Sequence, residues 1–325
     1  MSGTLSDVTF VSAVADELRD GHHVALASLL ATTGSMPRHE GARMAALEDG
    51  TFVGTVGGGN IELIASERAQ SALAGQPYAP LQWLTRERTG MACGGDALLG
   101  VRVLGPKEAA DIYEIEALLI EGGTGVLEER WATPSSPEAV FDANAVPRHL
   151  GWDEQTCTYR EYISAPETLH IFGAGHVGTA LVPIAASVGF TVVVYDDRPV
   201  MADPDRLPEA EQVICGPFEE TAAAADVTTR DFVVVLTHGH VSDTVVLERT
   251  LPRRPAYAGC IGSRNKADVV RASLLKAGVP ADQVESLHLP IGEAIGAVTP
   301  AEIAVSIAAE LIRCRAELAS ARRLG

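Results

Sequence analysis

The sequence predicts an α/β protein in two parts, an N-terminal α+β domain over residues 1–131 and a C-terminal parallel-sheet domain over residues 167–325. Three observations carry this reading. A run of strand-forming residues, Thr168–Phe172, leads into Gly173-Ala174-Gly175-His176-Val177-Gly178, from which a helix is expected to start at His176; strand, glycine turn and helix in that order make a Rossmann-like unit. After Pro166 strand-like and helix-like segments alternate regularly, as the βα repeats of a parallel sheet do. The 325 residues are about twice a usual single domain, and the first part has a different order of elements.

In that first part, residues 6–20 read as a helix with Ser6 as N-cap, Val11, Val14, Ala15 and Leu18 on one face, and Gly21 after the last turn. His23–Thr33 is a nearly continuous apolar strand. Arg43–Leu47 and Thr51–Val56 flank Asp49-Gly50, a hairpin turn signal. Asn60 is expected to cap a helix running to about Ala74, with Gly75 closing it in the left-handed conformation. Leu81–Arg86 and Ala97–Leu104 read as strands and Lys107–Glu121 as a helix. Residues 132–166, punctuated by Thr133-Pro134-Ser135-Ser136-Pro137, Pro147, Gly151 and Pro166, show no sustained period. They are either a linker or an edge extension of the first domain, with Thr156–Ile163 as one more strand.

In the second part strands are expected at Thr168–Phe172, Thr191–Asp196, Gln212–Cys215, Asp231–Thr237 and Ala256–Ile261, and helices from His176, Ser242 and Asn265. Val192-Val193-Val194 and Val233-Val234-Val235-Leu236 are apolar without alternation, as strands covered on both faces are. Thr299-Pro300-Ala301-Glu302 is a capping box opening a long final helix. Its Ile303, Ile307, Leu311 and Ile312 suit either a homodimer seam or packing on the helix's own sheet.

Composition narrows the partners. A formal net charge of −18 argues against nucleic acid and anionic lipid. No apolar run reaches the ~18 residues of a membrane span. The first residues carry no basic segment or apolar core of a secretory signal, so a cytoplasmic location is expected. Cys93, Cys157, Cys215, Cys260 and Cys314 are odd in number, scattered and free of CxxC pairs, which points to free thiols rather than disulfides or structural zinc.

The glycine turn is the first candidate site. Gly173 permits the bend, Gly175 lets a pyrophosphate approach the backbone, Gly178 allows close packing, and the N–H groups around His176 and Val177 face the anion. Asp196, ending the next strand, is expected to accept from a ribose hydroxyl. Asp197 disfavours a 2′-phosphate and Arg198 favours one, so the turn is read as a site for NAD(P), with a lean to NAD. His238 and His240 leave a strand at the sheet's carboxyl edge with Asp243 following. These three are the residues a metal set would draw on, but two imidazoles without a placed third ligand more often line a cleft or cap a helix, and no metal is assigned. Ser263 and Arg264 offer a hydroxyl and a guanidinium to a phosphate or carboxylate, or simply start a helix.

The first part offers a second glycine loop. Gly57-Gly58-Gly59 precedes Asn60-Ile61-Glu62 at a helix start, and Arg38, in Gly34-Ser35-Met36-Pro37-Arg38, is placed to complete an anion site. Cys93, before Gly94-Gly95, is a candidate for sulfur transfer or soft-metal binding if ionised; an inert buried thiol is the ordinary alternative.

Taken together these stretches resemble the xanthine dehydrogenase accessory factor family, the XdhC/CoxI-like proteins. The resemblance is carried by Gly34–Arg38 with Gly41 and Met44, Asp49–Glu62, Cys93–Gly95, Ile171–Gly178, Tyr195–Arg198, Leu236–His238 with Asp243, Tyr257–Arg264 with Lys266, and Pro290–Gly296 with Thr299–Ile303. It implies a molybdenum cofactor chaperone. Such a protein binds molybdopterin as cargo, supports replacement of a terminal oxygen by sulfur, and delivers the cofactor to an apo molybdenum hydroxylase such as xanthine dehydrogenase. It also implies a cysteine desulfurase as a further partner, and the two glycine-rich sites, one in each domain, suit the two ends of such a cofactor. Gly57–Gly59 is similar to the xanthine dehydrogenase branch. The carbon monoxide dehydrogenase branch tends to carry a cysteine where Asn60 stands, which leaves Cys93 as the thiol borne by a motif. The alternative function is an NAD(P)-dependent oxidoreductase with His238 as acid/base.

Overall fold

The computed structural model describes residues 3–85, 95–106, 108–133, 137–145 and 148–324, with backbone only at residues 240, 264, 265 and 322–324. The chain divides into two compact units, Met1–Ala165 with Ala321–Gly325, and Pro166–Ser320.

The first unit is built on β1 (Val24–Thr33), β2 (Arg43–Ala46), β3 (Phe52–Gly54), β4 (Leu81–Leu84) and β5 (Asp96–Leu104). They form an antiparallel sheet in the order β3-β2-β1-β5-β4. β1 reads as an unbroken apolar run because both of its faces are covered. Ala25, Ala27 and Leu29 meet helix Gly59–Leu73 through Ile61, Ala65 and Ala69, while Val24 and Leu26 face helices Val8–Arg19 and Ala110–Ile120. The register shifts between Leu29 and Ala31, which turns Leu30 toward Leu98, Trp131 and Tyr159.

Two helix caps differ from the sequence reading, and for residues 132–166 the structure has the edge extension rather than the linker. The first helix is capped by Asp7, whose carboxylate accepts from the N–H groups of Thr9 and Phe10 at 3.0 and 3.3 Å, while the Ser6 hydroxyl accepts from Ser164 N–H. The second helix starts at Gly59 with Gly58 as its N-cap, so Asn60 lies inside the first turn. Gly58, with φ +75°, ends the loop two residues sooner than the expected side-chain cap at Asn60. Residues 132–166 contribute β7 (Glu138–Asp142), β8 (Gly151–Asp153) and β9 (Thr158–Ser164), which join β6 (Thr124–Arg130) in an antiparallel sheet ordered β7-β6-β9-β8. No period betrays them, because β7 and β8 have no fully buried residue and only β9 buries Thr158, Tyr159 and Ile163.

Between these two sheets lies a buried charge cluster. Arg43 of β2, without solvent exposure, donates to the Gly41 carbonyl at 3.0 Å and pairs with Glu161 of β9 at 2.5 Å. Arg102 of β5 pairs with Asp111 at 2.7 Å, and Glu129 of β6 sits 3.6 Å from Arg102 and 3.8 Å from Arg43. Burial works against the Arg43 charge, but Glu161 and Glu129 outweigh it and push the guanidinium's pKa up.

The second unit is a five-stranded parallel sheet: β10 (Thr168–Phe172), β11 (Thr191–Asp196), β12 (Gln212–Cys215), β13 (Phe232–Val235) and β14 (Tyr257–Cys260). Their order is β12-β11-β10-β13-β14. Helices His176–Ser187 and Pro300–Leu324 cover one face and helices Phe218–Ala224, His240–Thr250 and Arg264–Lys276 the other, which explains the unalternating valines. The capping box forms, with Glu302 accepting from Val298 and Thr299 N–H at 2.8 Å. Ile307 and Leu311 are buried against the sheet of their own unit, while Ile312 stays exposed. No helix among the described residues is long and apolar enough to cross a membrane. Cys157, Cys215, Cys260 and Cys314 are free thiols.

Candidate functional site

The glycine turn occupies the point where the strand order reverses. β10 is flanked by β11 on one side and β13 on the other, so the loops at its carboxyl end diverge and leave a crevice. Gly173 has φ +117°, and a Cβ there would lie 2.4 Å from the Leu236 carbonyl oxygen. A Cβ on Gly178 would lie 2.0 Å from the Gly173 oxygen. These two glycines serve packing. Gly175 is different: its backbone is extended and no atom stands within 4 Å of where a Cβ would be, so it leaves open space at the N-terminus of helix His176–Ser187. That space continues into a cavity of about 220 Å³ lined by Gly175, His176, Thr179, Ala180, Met201 and Arg206. It is a fitting seat for a phosphate, with helix N–H groups beneath it and a guanidinium in its wall.

Asp196 does not face this space. Its side chain is fully buried, and it accepts from Ala174 N–H at 2.7 Å, Arg198 N–H at 2.9 Å and the Arg198 guanidinium at two 2.8 Å contacts. Both oxygens are engaged, so the carboxylate ties the end of β11 to the glycine turn and is closed to a ribose diol. Burial alone would raise its pKa, but Arg198 and the two backbone N–H groups outweigh that and hold it below the usual carboxylate range. Because the folded pKa lies below the unfolded one, the stabilisation is complete above the unfolded value and disappears as pH falls through the folded value. Asp196→Asn should therefore lower stability at neutral pH and flatten its acid dependence below about pH 4, as followed by urea unfolding at several pH values. Asp197 is half-exposed, 3.9 Å from Arg198 and 3.8 Å from His238, beyond hydrogen-bond distance of either.

Across the turn, Thr237-His238-Gly239 leaves β13 and bounds a second cavity of about 480 Å³ with Lys266 and Val269. Asp243, fully buried, accepts from the Thr237 hydroxyl at 2.5 Å and forms a close ion pair with the Lys266 ammonium, which also donates to the Ile261 carbonyl at 3.0 Å. An ammonium therefore stands where a metal would have to bind Asp243. His238 is half exposed, the His240 side chain lies outside the described residues, and among the described residues no three His, Cys, Asp or Glu side chains are grouped to hold a metal ion. Ser263 caps helix Arg264–Lys276, accepting from Lys266 N–H at 3.3 Å, and the Arg264 side chain lies outside the described residues. Lys266 stands among the residues that carry the family resemblance but has no role in the sequence reading; its pairing with Asp243 spans 23 positions, and its place in the first turn of a capped helix is the one local hint.

In the first unit Gly57, Gly58 and Gly59 have φ of +122°, +75° and +62°, values that only glycine adopts readily. The Arg38 stem rests on Gly57, 3.4 Å from where a Cβ would sit, and the space over Gly58 and Gly59 is open. The loop is not an empty anion cradle. Glu62 turns back to accept from Gly58 N–H at 3.0 Å and from the Thr55 hydroxyl, so an internal carboxylate already occupies the turn. Burial raises the Glu62 pKa, but these hydrogen bonds prevail and lower it, keeping the carboxylate charged. An anionic ligand must therefore engage Arg38 and the outer face of the loop. Cys93 lies outside the described residues. Gly95 passes tightly by Thr33, 2.5 Å from its carbonyl oxygen to the position of a Cβ.

Comparison with known proteins assigns both units. The profile described as "XdhC Rossmann domain" matches residues 169–311, and that described as "XdhC and CoxI family" matches residues 17–81. The chain belongs to the XdhC and CoxI family. It is 28% identical over 336 aligned positions to a Bacillus subtilis protein described as a probable xanthine dehydrogenase subunit, covering 93% of this chain and 96% of that one. It is 26% identical to the Escherichia coli "Uncharacterized protein YqeB" over 90% of this chain, but spans only 43% of that protein's length. Among solved structures, one described as a xanthine dehydrogenase from Bacillus halodurans aligns with a TM-score of 0.80 at 26% identity, over 98% of this chain and 96% of that one.

The XdhC Rossmann match contains the glycine turn, Asp196, Asp243 and Lys266, and the XdhC and CoxI match contains Arg38, Gly57–Gly59 and Glu62. Each glycine loop thus falls within a segment that the family defines.

Proposed function

We propose that this XdhC-family chain is an accessory protein of a molybdenum hydroxylase of the xanthine dehydrogenase type. It binds the molybdenum cofactor, supports its sulfuration and delivers it to the apo-enzyme. The observation that carries this reading is the family match in both units, joined to near full-length similarity to a protein described as belonging to a xanthine dehydrogenase. The geometry of the second unit supports it. A dehydrogenase that reads NAD by its ribose would use the carboxylate at the end of β11, and Asp196 is committed to the turn itself. The open space above Gly175 and the cavity walled by Arg206 suit a phosphate without requiring a ribose beside it. Arg38 beside Gly57 gives the first unit an anion contact of its own.

The test is direct. Protein produced in a host that makes the cofactor, then denatured and oxidised, should release a fluorescent pterin in near-stoichiometric amount. No pterin above background, even after incubation with added cofactor, overturns the reading. Calorimetry with NAD and NADP tests the oxidoreductase alternative, which fails without saturable binding at millimolar concentration.

A further inference from the structure

The cavity beside Lys266 is the larger of the two described above and the more chemically equipped. At about 480 Å³ it exceeds what a phosphate needs and falls within the range of small-molecule pockets. Its described lining consists of Thr237, His238, Gly239, Lys266 and Val269, none of which carries a carboxylate. Lys266 has three N–H donors. Two are taken, by Asp243 and the Ile261 carbonyl, and the third has no partner among the described residues. Asp243, buried and locked to Thr237, anchors the ammonium at the cavity wall rather than letting it swing into water. Gly239 is extended, with nothing within 4 Å of where a Cβ would be, so the backbone is bare there; Val269 adds an apolar side that is 57% exposed.

The cavity also adjoins the phosphate turn. A Cβ on Gly173 would lie 2.4 Å from the Leu236 carbonyl oxygen and 3.0 Å from Thr237 N, so the turn passes close to the backbone of the first lining residue. The turn follows β10 and this cavity follows the neighbouring β13, both at the carboxyl edge of the sheet, so a ligand with its phosphate on the turn can extend toward the cavity.

We propose that the Lys266 cavity holds the ring of a phosphorylated, carbonyl-bearing heterocycle whose phosphate lies on the glycine turn, with Lys266 donating its third N–H to a carbonyl oxygen carried by the ring. The inference rests on the reading that the second unit binds the cofactor's phosphate end, and it adds where the heterocycle sits and which residue selects it. A phosphorylated heterocycle with a carbonyl oxygen is common to a pterin cofactor, as a ring oxo group, and to a nicotinamide dinucleotide, as a carboxamide, and the experiment separates the two sources.

Full-length protein is incubated with increasing free molybdenum cofactor released from a denatured molybdenum hydroxylase and separated from unbound cofactor, the bound fraction being oxidised and measured as fluorescent pterin; NAD and NADP are titrated separately by calorimetry. Inorganic pyrophosphate serves as a competitor that needs only the turn. Val269→Trp fills the cavity and keeps both Lys266 and Asp243 in the chain; it should weaken ring-ligand binding by about tenfold or more while leaving pyrophosphate binding unchanged. Lys266→Met should do the same, and Lys266→Met with Asp243→Asn gives the comparison free of a stranded buried carboxylate. Melting curves establish that each variant is folded. Binding of either ring ligand at wild-type affinity by folded Val269→Trp and by the double variant overturns the assignment of the cavity, with cofactor binding itself intact. Failure of wild-type protein to bind any ring ligand overturns the functional reading and this inference together.

Discussion

Gly178→Ala is expected to abolish the native second unit or to destabilise it by at least about 3 kcal/mol, at the upper end of overpacking costs. The added Cβ would lie 2.0 Å from the Gly173 carbonyl oxygen. The obstacle is backbone, which has no rotamer to yield. Relief would require the helix to move away from β10, and Leu181, Val182 and Ala185 on that helix are fully buried in the core it closes. Gly175→Ala, three residues earlier, makes the contrast. Its φ of −68° suits any residue and no atom is near, so it should be neutral or more stable by about 0.4–1 kcal/mol, while a methyl over the turn reduces phosphate binding. Chemical denaturation of the two variants side by side measures this asymmetry, and equal losses would show that the turn is not packed as described.

The second large effect belongs to the first unit. Arg43→Met should cost about 3–5 kcal/mol, since it strands the buried carboxylates of Glu161 and Glu129. It also removes the donor that holds the Gly41 carbonyl at the base of the loop bearing Arg38. Arg43→Met combined with Glu161→Met should recover a substantial part of the loss, because an apolar pair of similar volume escapes the desolvation penalty. Urea unfolding of the single and double variants measures the recovery; a double variant no better than the single one would put the cost in Glu129, left with Arg102 at 3.6 Å, rather than in Glu161.

How far the molecule is legible in its sequence depends on the reach of each interaction. The glycine turn, the doubly covered valine strands and the Thr299–Glu302 capping box are local patterns whose partners lie within a few residues, and each forms where its pattern stands. Asp196 is also local, but a sequence cannot tell whether a carboxylate at a strand end faces the ligand or turns inward, and here Arg198 two residues later draws it inward. Glu62 likewise reads as a residue beside an anion loop, whereas the left-handed run at Gly57–Gly59 folds the loop onto the carboxylate. Lys266 with Asp243 and Arg43 with Glu161 join distant elements, and nothing in the spacing of either pair announces it. The Rossmann architecture follows from short-range order; the chemistry lining its crevice follows from long-range contacts.

The sheet β7-β6-β9-β8 bears on how the chain can be divided. Cutting after residue 131, where composition changes, would remove both neighbours of β6 at once and leave backbone donors and acceptors bare along two edges, a template for aggregation. It would also strip Tyr159 from the cluster that encloses Trp131. A cut between Ala165 and Pro166 spares every strand of that sheet, so a fragment made to study the Arg38 loop in isolation should carry the proline-rich segment with it.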